Sequence, residues 1–143
     1  MGETMIKGSI TGIGIAVPSQ VITNHYFEKI LDTTNEWIVQ RTGIEQRFFC
    51  REETNADLAI KAAQNALQDA QLQSIDLDHI IVATSSPDYL CFPSQASLVQ
   101  KGIQAINAST LDINAACAGF TSALDLAFLR YQALNIPQNE NCN

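Results

Sequence analysis

No run of apolar residues in this sequence approaches the ~20 that a membrane-spanning helix requires, which sets aside an integral helical membrane protein. Basic residues are scarce: 8 Lys and Arg stand against 15 Asp and Glu, for a formal charge of −7. Duplex nucleic acid demands a basic face to neutralise its phosphates, and the chain has none to assign. Arg41, Arg47 and Arg51 come nearest, but they alternate with Glu45, Glu52 and Glu53 and read as solvated surface; one or two of them can still serve an anionic ligand locally. The four cysteines (Cys50, Cys91, Cys117, Cys142) include no C-x-x-C pair, and His25 and His79 lie far from all of them, so no metal site is expected. The opening MGETMIKGSITG lacks the charged region and apolar run of a secretory signal. Ile6 stands where an N-myristoylation signal needs Ser or Thr. Free thiols in a cytoplasmic protein are therefore expected, with the plastid stroma as the alternative compartment although no transit peptide is evident.

What is present is the composition of a globular domain: 143 residues, 46% hydrophobic and 16% charged. Ile6–Val17 alternates apolar residues with Gly8, Gly12 and Gly14 and is expected to be a buried strand ending at Pro18. Its Gly12-x-Gly14 is a poor dinucleotide fingerprint, because the third glycine and a clear helix start are missing. Asn24 is expected to cap a short helix through about Leu31, and Thr33 or Thr34 to cap a second over TNEWIVQRT, stopped by Gly43. A strand or ribbon over Ile44–Phe49 follows. Thr54-x-x-Asp57 opens a helix with an apolar stripe of Ala59, Ala63, Ala66, Leu67 and Ala70, ending near Leu72. Ile80–Ala83 has the short β-branched character of a buried parallel strand. A loop over Thr84–Phe92 leads to a helix over Ser94–Lys101 stopped by Gly102. Leu111–Asn114 is a further strand, and a helix runs from Cys117 or Ala118 to about Leu134. Both histidines read as surface residues. The polar tail NIPQNENCN resembles a loop toward another strand. Strands alternating with helices give an α/β fold with a mostly parallel sheet.

The segment Asp112-Ile-Asn-Ala-Ala-Cys-Ala-Gly-Phe120 carries the chemistry. A strand ends, small residues turn the chain, and a cysteine opens a helix whose free N–H groups and dipole favour thiolate over thiol. Alanines and a glycine leave room for a substrate to approach the backbone. Such a thiolate can attack an acyl thioester while nearby N–H groups hold the oxyanion. A small buried cysteine with no chemistry is the other reading, and the residues by themselves leave both open.

Several segments together resemble the β-ketoacyl-acyl carrier protein synthase III family of thiolase-fold condensing enzymes. The alanine run, Cys117 and Ala118-Gly-Phe120 are similar to its nucleophile segment. Asn35-Glu-Trp-Ile-Val-Gln-Arg-Thr-Gly-Ile44 resembles its W-I-x-x-R-T-G-I signature. Ala83-Thr-Ser-Ser-Pro87 followed by Phe92-Pro-Ser94 resembles its strand and pocket-lining loop. The resemblance runs from Ile6 to about Leu134. It implies an incomplete first repeat of the layered αβαβα thiolase-like architecture, with residues 1–143 a partial amino-terminal domain and the second half of the family fold absent.

The resemblance also implies roles. Cys117 forms the acyl-enzyme. Trp37 stacks on the adenine of coenzyme A, Arg41 contacts the same molecule, and Thr33 lies near the adenine. Trp37 and Arg41, four apart on an expected helix, share a face, and an intrahelical cation–π contact without a ligand is the lesser alternative. Phe92 reaches across a homodimer interface to wall the partner's acyl pocket, ordinary core packing being its alternative. Cys91 beside it is not expected from the family pattern. In the full-length family the acyl group of an acyl-coenzyme A passes to the cysteine and condenses with malonyl-acyl carrier protein, initiating fatty-acid biosynthesis without a permanently bound cofactor. The family's catalytic histidine and asparagine belong to the second half, and neither His25 nor His79 sits in a matching motif. The expectation is thus an acyl-accepting half unable to condense alone. The alternatives are a non-catalytic remnant or dimerisation module, one part of a split acyltransferase, and a relative with a different acyl substrate.

Overall fold

The computed structural model describes residues 8–134. The tail loop with Cys142, and the first two residues of the strand expected over Ile6–Val17, lie outside the described residues.

An antiparallel ribbon comes first. Strand β1 (Gln20–Thr23) pairs with β2 (Gln46–Phe49), placing Ile22 opposite Arg47. Two helices fill the connection, α1 (Asn24–Phe27) and α2 (Asn35–Thr42). The Thr34 hydroxyl accepts the Trp37 N–H at 3.1 Å, so Thr34 and not Thr33 caps α2. Gly43 ends it at φ +70°, a conformation that costs a glycine nothing. α1 is shorter than expected and Asn24 does not cap it: Thr23 occupies the cap position, and the Asn24 side chain is buried instead.

Helix α3 (Asn55–Ala70) opens with the expected reciprocal Thr54–Asp57 capping box and closes at Gln71, φ +57°. Its small side chains divide between two partners. Ala59, Ala63 and Leu67 join the core, while Ala62, Ala66 and Ala70 face the chain near Gly12 and Gly14. That amino-terminal segment is not the strand expected: residues 8–18 form no ladder among the described residues. No described strand lies alongside to pair with it, so it lies against α3. Ile13 donates its N–H to the Asp69 carboxylate (2.9 Å), and Asn65 donates to the Ile15 carbonyl (2.9 Å). The glycines serve this packing and not a phosphate loop. A Cβ on Gly12 would sit 2.5 Å from the Ala66 oxygen, and one on Gly14 would overlap the Ala62 oxygen and the Ala66 nitrogen. Period two survives in the side chains: residues 12, 14, 16 and 18 are half-buried, whereas Ile13 and Ile15 are 70% and 73% exposed.

Strands β3 (His79–Ala83) and β4 (Ser109–Ile113) pair in parallel, joined through α4 (Gln95–Ile103), as the βαβ reading expected. Pleating divides β3. Ile80 and Val82 pack with α3 and α4 against Val99, Ile103, Ala105 and Ala108, the buried core. His79, Ile81 and Ala83 line a cleft with α5 (Gly119–Leu134). Gly102 does not stop α4. It lies within the helix, where a Cβ would collide with Ile60, and Gln104 at φ +60° provides the stop. Helix α5 carries only Asp125 and Arg130 as charges and leaves Phe120, Leu124, Phe128 and Leu129 exposed. A helix apolar on nearly all sides has the composition of one covered on more than one face.

Two carboxylates tie the helix starts together. Asp112, in β4, accepts the N–H groups of Gln95 (2.6 Å) and Ala96 (2.7 Å) at the start of α4. Asp88 accepts those of Asn55 and Ala56 (both 2.8 Å) at the start of α3. Desolvation opposes ionisation of Asp88, but the hydrogen bonds from the Ala56 N–H, the Gln95 amide and the Asn55 N–H outweigh it and hold the carboxyl below the ordinary aspartate value.

Gly14→Val is expected to lower stability to urea by about 1–3 kcal/mol, because the new side chain forces the segment off α3, whereas Ile13→Val on the exposed face changes it by less than about 0.5 kcal/mol; equal effects would mean that the glycine packing is not the contact holding the segment. For Asp88 the lowered folded pKa makes its stabilisation complete above the ordinary aspartate range near ~3.9 and lost as the pH falls through the lowered value. Asp88→Asn is therefore expected to cost about 1 kcal/mol at pH 7, the usual worth of a helix cap. The gap to the native chain should shrink as the pH falls below about 4, and a gap independent of pH in urea titrations would remove the charge from the account.

Candidate active site

Both chain exits at the carboxyl ends of the parallel strands carry residues singled out from the sequence, and open α/β sheets expose their ligand crevice at that edge. From β4 the chain passes through a tight 3-10 turn, Ala116–Ala118, into α5. Cys117 sits in that turn, two residues before the helix, and not at the helix start as expected. Ala116 takes φ +44°, a left-handed conformation disfavoured for a residue with a Cβ. The strained turn reverses the chain sharply and leaves Cys117 exposed. The Thr121 and Ser122 hydroxyls both donate to the Ala118 carbonyl at 2.9 Å, fixing the turn to the helix. Behind it, a Cβ on Gly119 would lie 3.3 Å from that of Ala83, so glycine lets α5 start close against β3. An exposed cysteine on this turn is not the small buried hydrophobe of the alternative reading.

From β3 the chain passes into the loop that carries Phe92. Gln95, fully buried, is its anchor. Its side-chain oxygen accepts the Asp88 N–H (2.9 Å) while its nitrogen donates to Asp88 Oδ2 (3.1 Å) and Asn55 Oδ1 (3.4 Å). Asn55 donates in turn to the Ser86 carbonyl (2.9 Å). Beyond this anchor the loop tip is bare: Leu90 is 100% and Phe92 81% exposed, with Tyr89 and Cys91 exposed beside them. Phe92 is not packed in the core. Sequence reasoning missed the Asp88–Gln95–Asn55 network; a buried glutamine one residue after a helix cap carries no periodic signal.

The third group lies apart. Trp37 is 55% exposed on α2, and the Arg41 guanidinium stands 5.7 Å from its ring centroid. The cation–π contact allowed for in the sequence is thus present, with most of the indole still open to solvent. A cleft of about 810 Å³ is walled by Phe27, Thr33, Trp37, Arg47 and Phe49 among others. Thr33 Oγ1 is buried there without a hydrogen-bond partner among the described residues, an arrangement that a ligand's polar atom would satisfy. Arg47 is not free surface: it donates to Asn24 at 2.8 Å and lies 4.6 Å from the Phe27 ring centroid. The structure brings Thr33 and Trp37 onto one cleft wall, and Arg41, which is not part of that wall, lies against the Trp37 ring. Neither Cys117 nor Phe92 is part of that cleft's wall.

The histidines take no part in either group. His25 Nδ1 faces Glu28 Oε2 at 2.8 Å. His79 is half-buried inside β3, a correction to its reading as a surface residue ahead of the strand; its Nδ1 meets the Ser109 hydroxyl and Arg130 Nη1. Among the described residues no group of three or more His, Cys, Asp or Glu is arranged to hold a metal ion, and no helix is long and apolar enough to cross a membrane.

No family model matches the chain. Individual relatives do. The β-ketoacyl-[acyl-carrier-protein] synthase III of Rhodobacter capsulatus is 52% identical over 120 residues, covering 83% of this chain and 37% of the relative. Among solved structures, the 3-oxoacyl-[acyl-carrier-protein] synthase III of Aquifex aeolicus superposes with a TM-score of 0.83 at 45% identity, over 87% of this chain and 40% of that one. The synthase III of Thermus thermophilus superposes with a TM-score of 0.81 at 41% identity, over 88% and 39%. The chain thus spans under two-fifths of the curated relative's length. In sequence and in its α/β architecture, this chain belongs with the β-ketoacyl-[acyl-carrier-protein] synthase III family and is an amino-terminal portion of its thiolase-like fold.

Proposed function

We propose that this chain is the acyl-accepting part of a β-ketoacyl-acyl carrier protein synthase III, with Cys117 as the nucleophile. The observation that carries the reading is an exposed cysteine on a strained strand-to-helix turn, in a chain 52% identical to a synthase of that name. Its thiolate attacks the carbonyl carbon of an acyl-coenzyme A. The new C–S bond forms as the bond to coenzyme A breaks, and coenzyme A leaves as its own thiolate. The first N–H groups of α5, just after the turn, suit the oxyanion that forms on the thioester carbonyl. Trp37, Arg41 and the unpartnered Thr33 hydroxyl are the groups suited to the nucleotide end: an open indole for the adenine, a cation for phosphate, and a buried donor for a ring or ribose atom. Phe92, bare on an anchored loop, suits the role of walling a partner's acyl pocket in a homodimer. The second half-reaction, with malonyl-acyl carrier protein, needs groups that polarise its thioester; His25 and His79 are committed elsewhere. The reading sets the protein where acyl carrier protein works, in cytoplasm or plastid stroma, with no permanently bound cofactor.

The exposed apolar faces of α5 and of residues 8–18 suit burial by the remainder of the family fold, in the same polypeptide or in another. Supplying the rest of the Rhodobacter capsulatus relative as a separate polypeptide is expected to restore condensation, seen as carbon dioxide release from malonyl-acyl carrier protein. Robust release by the chain alone would contradict this division of labour.

Incubated with acetyl-coenzyme A, the native chain is expected to gain one acetyl group by intact-mass spectrometry, and Cys117→Ala none. No adduct, or an adduct that persists in the variant, would remove Cys117 from the reaction.

A further inference from the structure

A buried asparagine that caps nothing requires a reason, and Asn24 is the first residue of α1 with none of its side-chain hydrogen bonds spent on the helix start. It is fully buried, which for an unsatisfied amide would be costly. Both amide protons are used: Nδ2 donates to Asn35 Oδ1 at 3.1 Å and to the Ile44 carbonyl at 2.7 Å. Oδ1 accepts from Arg47 Nη1 at 2.8 Å, and the backbone N–H reaches the Glu45 carbonyl at 3.3 Å.

The partners mark what this amide does. Asn35 is the first residue of α2, and Ile44 follows two residues after its last, so one side chain grips both ends of the helix that bears Trp37 and Arg41. The third bond holds Arg47, which stands with Phe27 and Trp37 on the wall of the cleft beside α2. An eight-residue helix has little stability of its own, so its tertiary anchors set where it lies. A second tie, the Asn35 N–H to Glu28 Oε1 at 2.7 Å, touches only the helix start. Among the described residues Asn24 alone joins the start of α2, its exit and the opposite wall. Aspartate could not replace it, since it would accept from Arg47 but offer no proton to Asn35 or Ile44.

We infer that Asn24 is a positioning residue for the nucleotide end of the coenzyme A site: it touches no ligand, and holds α2 against Arg47 so that Trp37, with Arg41 against its ring, shares the cleft wall with Thr33. The inference rests on the coenzyme A reading given above. Trp37 is the only tryptophan in the chain, so its fluorescence reports the site directly.

The test titrates the full chain with coenzyme A and, separately, with adenosine 3′,5′-bisphosphate, the nucleotide end alone, well below the thermal midpoint of each variant. Asn24→Ala and Asn24→Asp are expected to weaken both ligands by about tenfold, the scale of one or two lost hydrogen bonds. A residue that merely supports the fold would lower the thermal midpoint and leave the affinity of the folded protein unchanged; that outcome overturns the inference, as does weakening confined to coenzyme A. Should both variants lose their helical circular dichroism, Asn35→Ala decides, because it removes one acceptor and leaves Asn24 in place: weakening by roughly threefold supports the inference, and unchanged affinity overturns it. A native chain that binds neither ligand removes the coenzyme A reading and this inference with it, whereas a native chain that binds both while the variants match it removes the inference alone.

Discussion

The Asp112 carboxylate, receiving the first two N–H groups of α4, is the interaction on which the arrangement of this chain depends. Asp112 belongs to the strand that leads to Cys117, and α4 begins just after the loop that bears Phe92. One side chain therefore sets the turn of Cys117 and the exposed loop against each other. The chain of contacts continues through Gln95 to Asp88, and from Asp88 to the first N–H groups of α3. Two helix starts and one strand end meet through two carboxylates and one amide, each group supplying what its neighbour lacks. The hydrophobic core beneath, built on Val99, Ile103 and Val82, gives the layer its cohesion. The polar network fixes which loop lies where along the carboxyl edge of the strands.

The sequence made much of this legible, for reasons that separate by range. Thr54 and Asp57 announce α3 because a capping box is a local device, complete within four residues. The parallel β3–β4 pair was readable because buried parallel strands are short and β-branched wherever they occur. Trp37 and Arg41 share a face because helical spacing requires it, and they do so here. The setting of Cys117, among small residues between a strand and a helix, was legible, although its placement within a 3-10 turn was not.

What failed was whatever depends on a distant partner. Gly102 has the look of a helix stop, but Ile60 from another helix needs the space, and the glycine stays inside. Asn24 has the look of a cap, and its true partners lie 11, 20 and 23 positions away. Residues 8–18 have the alternation of a strand but no strand to pair with among the described residues, so the pattern shows here as one half-buried side and one exposed side. The apolar circumference of α5 is likewise exposed in part.

The two glycines of that segment also act as a lock on its position along α3. The slots at 12 and 14 do not admit even a methyl group. Slide the segment by one residue and isoleucine 13 or its neighbours meet the helix backbone. Slide it by two and one slot is filled by Ile10 or Ala16 while the other still holds a glycine. No displacement leaves both slots empty of side chain except the one observed. Gly12 and Gly14 thus work as the paired notches of a key: the alternation decides which side of the segment turns toward the helix, and the notches decide how far along the segment may go.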